Sequence, residues 1–483
     1  MSSSSERSSD SKQTLLILGA SGDLAVRLLL PGLGALLASG GGEGISLVGS
    51  DVEDWDDRRW RERVAESLAA GGAGEDSVDA VAGSTRYVQA DATAQSDWRK
   101  LLDACDGRVV AYFALPPAIT ERACQALTGL QLPPGSQLVF EKPFGTDAAS
   151  AEALNRLVTG IVPEDQVYRV DHFLGTSTVV NIAGVRFANR MFEPLLNAEH
   201  VESVDIVFDE TLGLEGRAGF YDRAGALVDM IQSHLLQVLS LVAMEPPGRI
   251  DARDIRDGRA AVLRATRVWN DDPAANSYRA RYTAGQIGDR KLPSYIDEDG
   301  IPPESTTETL AEVVLAVDTW RWAGVPFRLR SGKAIANPRT EVVITFKQPR
   351  HIPTGFVGGE QPDRLHIGIA LDAGRLSLDL NVNGPADPRV IDPVTLGTDL
   401  GPGDLPEYGQ VLKSIFDANP ILSVRGDMAV DCWRIIEPVL RAWKDDQVPL
   451  QEYPAGSHGP EGWPLSGVSP TPPRVPNAQP VAA

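Results

Sequence analysis

The stretch Thr14-Leu15-Leu16-Ile17-Leu18-Gly19-Ala20-Ser21-Gly22-Asp23-Leu24-Ala25 decides the fold of the first part of the chain. Residues 14–18 form an apolar run that predicts a buried strand, and the pattern after the turn predicts a helix over 24–38. Gly19 permits a tight turn, and Gly22 lets backbone N–H groups approach a phosphate at the helix N-terminus. Because this GxxGxxA pattern differs from the common GxGxxG form, it is a weak signal unless a parallel sheet surrounds it.

The sequence after this turn predicts such a sheet. Further strands are predicted from apolar runs at 45–48, 86–90, 109–114 and 137–140. A helix is predicted over 56–70, between the second and third strands. Strands that alternate with helices are typical of a doubly wound parallel sheet, so residues 13–168 are predicted to form a Rossmann-like dinucleotide-binding domain.

After residue 168 the pattern changes. Polar and apolar residues alternate in three segments, at 201–208, 342–346 and 376–383. Such alternation indicates antiparallel strands with one covered face, and long helices are predicted over 225–244 and 307–321. The predicted fold class is therefore α/β plus α+β, in which the second domain, 169–452, contains a large, mainly antiparallel sheet backed by helices.

The chain carries a formal net charge of −21. A protein that binds nucleic acids or anionic membrane surfaces needs a patch of basic residues, so we predict neither as a partner. No apolar run approaches the roughly 20 residues that span a bilayer, and the serine-rich segment 1–12 lacks the apolar core of a secretory signal. That segment and the Pro-, Gly- and Ser-rich segment 453–483 are predicted to be disordered tails.

Cysteine usage favours a cytoplasmic protein. Cys105, Cys124 and Cys432 are widely spaced, odd in number and without the spacing of zinc ligands. A disulfide-stabilised secreted domain is therefore not expected, whereas a reducing compartment is, and no metal site is predicted.

Acidic residues follow the second predicted strand, at the position that usually contacts the adenosine ribose. A carboxylate there accepts hydrogen bonds from a free ribose diol and repels a 2′-phosphate. Asp51, Glu53 and Asp54 therefore favour NAD over NADP. Arg58 and Arg59 lie in the following helix and could reach back to a phosphate, so NADP remains the alternative.

The stretch Arg169-Val170-Asp171-His172-Phe173-Leu174-Gly175-Thr176 places an aspartate beside a histidine, and a second histidine follows at His234. A carboxylate that orients an imidazole is the usual way to build a general base near neutral pH. Lys142 comes straight after an apolar strand, where polar residues lie over the ligand crevice of a parallel sheet, so we predict a cation between cofactor and substrate.

In order along the chain, these segments resemble the glucose-6-phosphate dehydrogenase family. The likeness runs from about residue 16 to residue 443. It is carried by collinear motifs at 19–25, 141–145, 164–166, 169–175, 186–190, 215–217, 229–237, 305–309, 320–327 and 330–333. No single motif is decisive, but so many in the same order make chance similarity implausible.

The resemblance implies an enzyme that removes the C1 hydroxyl proton of a pyranose and passes the C1 hydride to NAD or NADP, giving a 1,5-lactone. It implies His234 as the catalytic base, Asp171 as its partner, a cis peptide bond before Pro143, and a homodimer or homotetramer. The implied substrate contacts are Lys142, His172, Glu210, Asp229, Lys333 and Arg339. The implied cofactor contacts are Gly19, Ser21, Gly22, Asp23, Leu24, Asp51, Leu115, Pro116, Glu141 and Lys142.

The chain departs from the family where the substrate phosphate would be held. The family motif reads Arg-Ile-Asp-His-Tyr-Leu-Gly-Lys, and its His, Tyr and Lys contact the 6-phosphate, whereas this chain has Phe173 and Thr176 in place of the Tyr and the Lys. Glucose 6-phosphate held by altered contacts, among them Arg339, is one interpretation. An unphosphorylated or differently substituted sugar oxidised with NAD is the second. A weakly catalytic binding or regulatory paralogue is the third, against which the retention of the base and its partner argues.

Overall fold

The computed structural model describes residues 12–42, 44–216, 218–359, 361–370, 374–384 and 387–464. Its α-helices are α1 (Leu30–Ala38), α2 (Asp57–Ala70), α3 (Glu75–Ser84), α4 (Gln95–Asp103), α5 (Pro117–Leu127), α6 (Ala148–Thr159), α7 (Ser177–Phe187), α8 (Ala218–Ala226), α9 (Leu236–Ala243), α10 (Ala252–Arg264), α11 (Glu407–Phe416) and α12 (Gly426–Lys444). The backbone is π-helical over Ala25–Leu29 and Leu227–Leu235. Short 3-10 helices are Glu164–Gln166, His172–Gly175, Glu193–Leu195, Trp269–Asp271, Tyr295–Asp297 and Pro420–Leu422.

The strands follow the same chain order. They are β1 (Gln13–Leu18), β2 (Ile45–Asp51), β3 (Arg86–Gln89), β4 (Arg108–Phe113), β5 (Gln137–Phe140), β6 (Val167–Arg169), β7 (Val201–Asp209), β8 (Thr266–Val268), β9 (Ser277–Thr283), β10 (Gly285–Ile287), β11 (Arg290–Leu292), β12 (Leu310–Val317), β13 (Pro326–Gly332), β14 (Thr340–Phe346), β15 (Val357–Gly358), β16 (Arg364–Gly368), β17 (Gly374–Asn383), β18 (Val390–Leu400) and β19 (Leu450–Pro454).

The described part of the chain forms two compact units. The first comprises the chain up to Ala188 together with Gln232–Ala265 and Pro402–Glu437, and the second comprises Asn189–Ile231, Thr266–Gly401 and the chain from Pro438 onward. This differs from the single boundary expected after residue 168, because two later segments return to the first unit. One of them carries α11, whose Tyr408, Leu412 and Ile415 side chains are buried in the core beside α1.

The first unit contains a parallel sheet, and this confirms the predicted Rossmann-like fold. Within the described residues it has six strands in the order β3-β2-β1-β4-β5-β6, all paired in parallel. Side chains of β1 alternate between two cores. Leu15 and Ile17 pack with α1, α2 and α11, whereas Leu16 and Leu18 pack on the other face with α4, α5 and α6. A strand that is buried on both faces needs this continuous apolar sequence.

The second unit contains the predicted large sheet. Counting only described residues, it has eleven strands in the order β15-β18-β17-β16-β14-β7-β13-β12-β9-β19, with β8 also paired to β12. Most pairings are antiparallel, as predicted, but β7 with β13, β9 with β19 and β15 with β18 are parallel. The parallel pair in the middle of the sheet brings the carboxyl ends of β7 and β13 to the same edge.

The helix predicted over 307–321 is wrong, because this segment contains β12. All eight residues of that strand are buried, and it pairs with β13 on one side and with β8 and β9 on the other. A central strand covered on both faces shows no alternation of polar and apolar residues, so its periodicity does not separate it from a buried helix.

The disordered tail expected from residue 453 must also be corrected. Tyr453 lies in β19 beside β9 and is buried, with its hydroxyl 2.9 Å from that of Thr309. Trp463 is buried as well. Ordered structure therefore extends at least to residue 464, whereas the remainder of the expected tail, like residues 1–11, lies outside the described residues.

One helix has the length and composition of a membrane span, contrary to the expectation that no segment would. It runs from Tyr221 to Ala243, and its mean hydropathy is 1.5. However, 89% of its most apolar window is buried inside the protein, which is typical of a core helix.

Candidate active site

The glycine turn after β1 is built as the sequence predicts. Gly19 has a φ of 85°, and a Cβ atom at this position would lie 2.3 Å from the Ala114 carbonyl oxygen, so only glycine fits. The backbone N–H groups of Gly19 and Ala20 donate to the Ser50 carbonyl at 2.9 and 3.0 Å. The turn is therefore fixed to the end of β2, at the point where the strand order of the sheet reverses.

Asp51 and Ser21 meet at this turn. The Asp51 Oδ2 atom accepts from the Ser21 hydroxyl at 2.7 Å and from the Ser21 backbone N–H at 3.3 Å. Its Oδ1 atom accepts from Val52 N at 2.7 Å. The carboxylate predicted to contact the ribose thus also holds the glycine turn in place.

A cavity of about 330 Å³ lies over the carboxyl ends of β1, β2 and β4. Its lining includes four of the predicted cofactor residues, namely Gly19, Asp51, Leu115 and Pro116. It also includes Thr93 and Arg122, which the sequence did not single out and whose Oγ1 and Nη2 atoms are 3.3 Å apart. The other six predicted cofactor residues are not part of this lining, namely Ser21, Gly22, Asp23, Leu24, Glu141 and Lys142.

The arginines that were considered as possible phosphate contacts do not line the cavity. Arg58 donates from Nε to Glu62 at 2.9 Å, and both side chains are exposed. The Arg59 guanidinium lies 4.1 Å from the centre of the Trp55 ring. Each of these arginines has a partner on or before its own helix.

Glu141 is held by two tyrosines. The Tyr112 hydroxyl donates to its Oε1 atom, and the Tyr408 side chain also hydrogen-bonds to it. Burial raises the pKa of Glu141 to about 7, although both tyrosines and the nearby Lys142 act in the opposite direction. The carboxyl group therefore titrates near neutral pH.

We expect Glu141→Gln to remove a pH dependence from the stability of the protein. Because folding raises this pKa from about 4.5 to about 7, the folded state binds the proton more tightly, and the wild type loses stability as pH rises through that interval. A neutral amide has no charge to desolvate. Relative to that of the wild type, the free energy of unfolding of the variant should therefore rise by about 2 kcal/mol between pH 5 and pH 8. Urea unfolding at the two pH values measures this difference.

The matched control for this experiment is Glu121→Gln, which removes an exposed carboxylate from α5. Its urea midpoint should follow that of the wild type at both pH values. If the free energies of unfolding of Glu141→Gln and the wild type differ by the same amount at pH 5 and pH 8, the Glu141 carboxyl does not titrate in that interval.

The structure brings the predicted base and its partner together. His234 Nδ1 lies 2.5 Å from Asp171 Oδ1, and both side chains are almost fully buried. The same carboxylate oxygen accepts from Phe173 N at 3.0 Å, so the 3-10 turn that follows Asp171 fixes its position. Although burial alone would raise the pKa of Asp171, the charges of His234, His172 and Lys142 and the hydrogen bond from His234 hold that pKa below its usual value.

Lys142 determines which nitrogen of His234 is unprotonated. Its Nζ atom lies 2.7 Å from His234 Nε2. An ammonium group only donates, so Nε2 is the acceptor and the Nδ1–H group donates to Asp171. With Lys142 as the donor, a neutral ring carries its lone pair on Nε2, the form that a general base requires. The Lys142–Pro143 peptide bond is cis, as the resemblance implied.

Two neighbours in the same segment orient the imidazole ring. The Phe173 ring stacks on His234 with centroids 4.2 Å apart, and the His172 ring meets it edge-on at 4.8 Å. Thr176 is buried and begins α7, where its hydroxyl donates to the Phe173 carbonyl at 2.7 Å and accepts from Val179 N. Phe173 and Thr176 therefore have structural partners of their own.

Predicted sugar contacts also meet in the second unit. Glu210 follows β7 and Lys333 follows β13, and because these strands are parallel neighbours, the two side chains lie at the same edge of the sheet. Lys333 Nζ donates to Glu210 Oε2 at 2.7 Å and lies 5.1 Å from the centre of the Tyr221 ring. Asp229 is mostly buried in the π-helical segment Leu227–Leu235.

Arg339, the predicted additional phosphate contact, is buried in the second unit. Its Nε atom donates to Glu341 at 2.9 Å, and its charge also acts on Asp205 and Asp209. Neither Nη atom has a hydrogen-bond acceptor among the described residues.

Sequence reasoning missed several residues around the site. Tyr112 lies inside β4 and looks like any core residue, and Tyr408 lies far along the chain, so no local signal connects either with Glu141. The sequence shows that Phe173 lacks a hydroxyl, but it gives no sign that the ring stacks on His234. Arg122 follows an ordinary helical pattern and gives no signal of its place in the cavity.

A parallel sheet with a glycine turn at its reversal point, together with a carboxylate-held imidazole beside a lysine, defines an oxidoreductase that uses a nicotinamide dinucleotide. Family comparison makes this specific. Residues 16–181 match the model for the NAD binding domain of glucose-6-phosphate dehydrogenase, and residues 183–464 match the model for its C-terminal domain. The chain belongs to the glucose-6-phosphate dehydrogenase family, and it is an oxidoreductase that acts on a sugar CH–OH group with NAD(P).

Individual relatives resemble the chain over nearly its whole length. The glucose-6-phosphate 1-dehydrogenase of Gluconobacter oxydans is 39% identical over 464 residues, covering 92% of this chain and 94% of the relative. That of Mycolicibacterium smegmatis is 36% identical over 466 residues, covering 92% and 94%. A solved glucose-6-phosphate dehydrogenase in complex with glucose-6-phosphate superposes with a TM-score of 0.83 at 27% identity, covering 94% and 96%. The Mycobacterium avium enzyme superposes with a TM-score of 0.82 at 31% identity, covering 93% and 95%.

Proposed function

We propose that the protein oxidises C1 of glucose 6-phosphate, or of a closely related pyranose, to the 1,5-lactone. The observation that carries this proposal is the placement of the His234 imidazole, whose Nδ1 lies 2.5 Å from Asp171 Oδ1 and whose Nε2 lies 2.7 Å from Lys142 Nζ. The glycine turn that would hold a dinucleotide belongs to the same unit. A bound NAD(P) supplies the acceptor for the C1 hydride.

His234 is proposed to take the C1 hydroxyl proton on Nε2. A sugar hydroxyl is a weak acid, so its proton must leave as the hydride departs, and a base held in one tautomer accelerates that step. Asp171 then stabilises the imidazolium that forms. Lys142 places positive charge beside the same nitrogen, where it favours the negative charge that develops on the sugar oxygen.

Three polar side chains are proposed to bind the sugar hydroxyls. Glu210 and Asp229 are carboxylates that can accept from hydroxyl groups, and Lys333 can donate. The salt bridge between Lys333 and Glu210 holds both side chains in one geometry before a substrate arrives. Such preorganisation lowers the entropy that binding must overcome.

We propose NAD as the preferred cofactor. Asp51 and Asp91 both line the cavity at the end of β2, and Arg122 is the one arginine that lines it among the described residues. Arg58 and Arg59 are engaged elsewhere. A 2′-phosphate would meet net negative charge there, whereas a free ribose diol can donate to Asp51.

An unphosphorylated sugar is the second candidate substrate, and a specific observation favours it. Phe173 has no hydroxyl to donate, and the Thr176 hydroxyl is used at the start of α7. His172 and Arg339 are the proposed phosphate contacts that this chain retains.

Initial rates with glucose 6-phosphate and with glucose, each with NAD and with NADP, test these proposals together. We expect a higher kcat/KM with NAD than with NADP, and oxidation of at least one of the two sugars. A tenfold preference for NADP would overturn the cofactor assignment. Turnover of glucose alone would select the second candidate, and absence of turnover with either sugar would remove both.

We also propose a cytoplasmic homo-oligomer. Its support is the set of three free cysteines and the resemblance to the family. Analytical ultracentrifugation measures the mass, and a monomer would contradict the oligomer.

A further inference from the structure

A second cavity in the first unit lies at the amino ends of the strands of the parallel sheet. Its volume is about 600 Å³. Its lining includes Arg108 and Gln137, the first residues of β4 and β5, and the segment Glu164–Gln166 just before β6. The glycine turn lies at the carboxyl ends of the same sheet, so this cavity is separate from the cofactor site.

The cavity is rich in arginine within an acidic chain. Arg108, Arg253, Arg256 and Arg425 line it, against three carboxylates. Arg425 is neutralised by Asp257 and Asp427. The Arg108 guanidinium donates only to neutral oxygens, those of the Gln13 side chain and the Phe416 carbonyl, and no described carboxylate forms an ion pair with it. The lining therefore carries a cation whose charge the described residues leave uncompensated.

Two buried polar side chains of the lining keep unused hydrogen-bonding atoms. Arg256 is 5% exposed and donates from Nη2 to Glu164 at 3.3 Å, but its Nε has no acceptor among the described residues. Gln137 is 2% exposed, and its Oε1 likewise has no described donor. A buried polar atom without a hydrogen-bond partner costs about 1–3 kcal/mol of stability. We therefore expect a ligand to supply the missing partners of Arg256 and Gln137.

Hydrogen bonds connect the lining of the cavity with the segments that carry the catalytic pair. Glu164 accepts from Arg256 and also, at 2.8 Å, from Arg169, which ends β6 two residues before Asp171. Helix α10, whose first turns line the cavity, carries Arg259. The Arg259 guanidinium donates to Gln237 and, at 3.2 Å, to Ser240, both in the helix that follows His234. Glu164 is therefore connected through Arg169 with the segment of Asp171, and α10 is connected through Arg259 with the helix that follows His234.

We propose that this cavity is an effector site for a small organic phosphate. Arginines suit the phosphate, while Gln137 Oε1 and the carboxylates of the lining suit hydroxyl or amine donors on the rest of the molecule, as in a nucleoside phosphate or a sugar phosphate. The volume is that of an ordinary small-molecule site. A bound phosphate competes with Glu164 for Arg256, and Glu164 also holds Arg169, so occupancy changes turnover through the position of Asp171.

Calorimetric titration in saturating NAD tests the proposal, with ADP, ribose 5-phosphate and inorganic pyrophosphate as probes. We expect at least one probe to bind the wild type, and Arg256→Gln to weaken that binding at least tenfold. Arg156→Gln, which removes an exposed arginine from α6, should leave it unchanged. Tight binding of ADP alone points to a nucleotide, and of ribose 5-phosphate alone to a sugar phosphate.

A second variant keeps the test decisive if Arg256→Gln does not fold. Ala252→Trp fills the cavity from the first turn of α10 without changing any charge, and it should abolish probe binding. Failure of all three probes to bind the wild type overturns the proposal. Binding that both variants leave unchanged overturns it too, because the probe then occupies another site. Since these titrations involve no turnover, their outcome does not depend on the proposed reaction.

Discussion

Replacing His234 by asparagine is expected to lower kcat roughly a thousandfold, because a positioned general base contributes about 10²- to 10⁴-fold to proton transfer. The asparagine amide can still donate to Asp171, so the buried carboxylate keeps a partner, but no lone pair replaces Nε2. Because the ring is almost fully buried and its Nε2 atom lies beside Lys142, the loss should fall on the chemical step. Initial rates at saturating sugar and cofactor measure it.

Two further measurements separate loss of the base from loss of the fold. The melting temperature should change by only a few degrees, and the dissociation constant for the dinucleotide should stay within about threefold, since His234 does not line the cavity at the glycine turn. Asp171→Asn should also lower kcat strongly, because its amide can no longer select the tautomer with the lone pair on Nε2. A drop in kcat of less than tenfold in His234→Asn would remove this histidine from the role of base.

Introducing Lys at Thr176 and Tyr at Phe173 is expected to lower KM for glucose 6-phosphate at least tenfold without a matching change for glucose. A hydrogen bond to a charged group contributes about 1.5–3 kcal/mol, which corresponds to roughly ten- to a hundredfold in affinity. The change removes the hydroxyl that begins α7 and also places an ammonium group where Thr176 is buried, so stability should fall by more than the roughly 1 kcal/mol of a lost N-cap. Steady-state kinetics with both sugars measure the selectivity.

Thr176→Met is the matched control, because methionine removes the same hydroxyl and has a side chain of similar length without charge. It should show the loss of stability that follows from the missing hydroxyl but not the gain in affinity. Equal KM values for the lysine and methionine variants would show that position 176 does not reach the phosphate. A wild type that already binds glucose 6-phosphate far better than glucose would mean that other groups, such as His172 and Arg339, suffice.

Local sequence patterns predicted those parts of the molecule whose structure depends on residues close together in the sequence. The glycine turn and the first five strands of the parallel sheet were recognisable because short motifs carry them, whereas the pairing of Asp171 with His234 came from the resemblance to the family. β12 was mistaken for a helix, because burial on both faces removes the periodicity on which the distinction depends. The tail boundary at residue 453 failed because Tyr453 is ordered by its pairing with β9, which no local composition reveals.

The partners of Glu141 show the limit of motif reasoning at the site. The motif identified the carboxylate, but its pKa depends on Tyr112 and on Tyr408, and Tyr408 reaches the first unit only through α11. Arg259 and Gln237, behind the catalytic pair, are likewise joined by the packing of two helices. Contacts of this kind depend on tertiary structure, and a single sequence does not contain the information to find them.

The return of α11 to the first core has a consequence for synthesis on the ribosome. Tyr408, Leu412 and Ile415 complete the apolar layer over β1, yet they are translated more than 200 residues after the sheet itself. At about 5–20 residues per second, that layer stays uncovered for tens of seconds while the second unit is made. We therefore expect the nascent chain to expose part of this hydrophobic surface during the interval and to bind co-translational chaperones there.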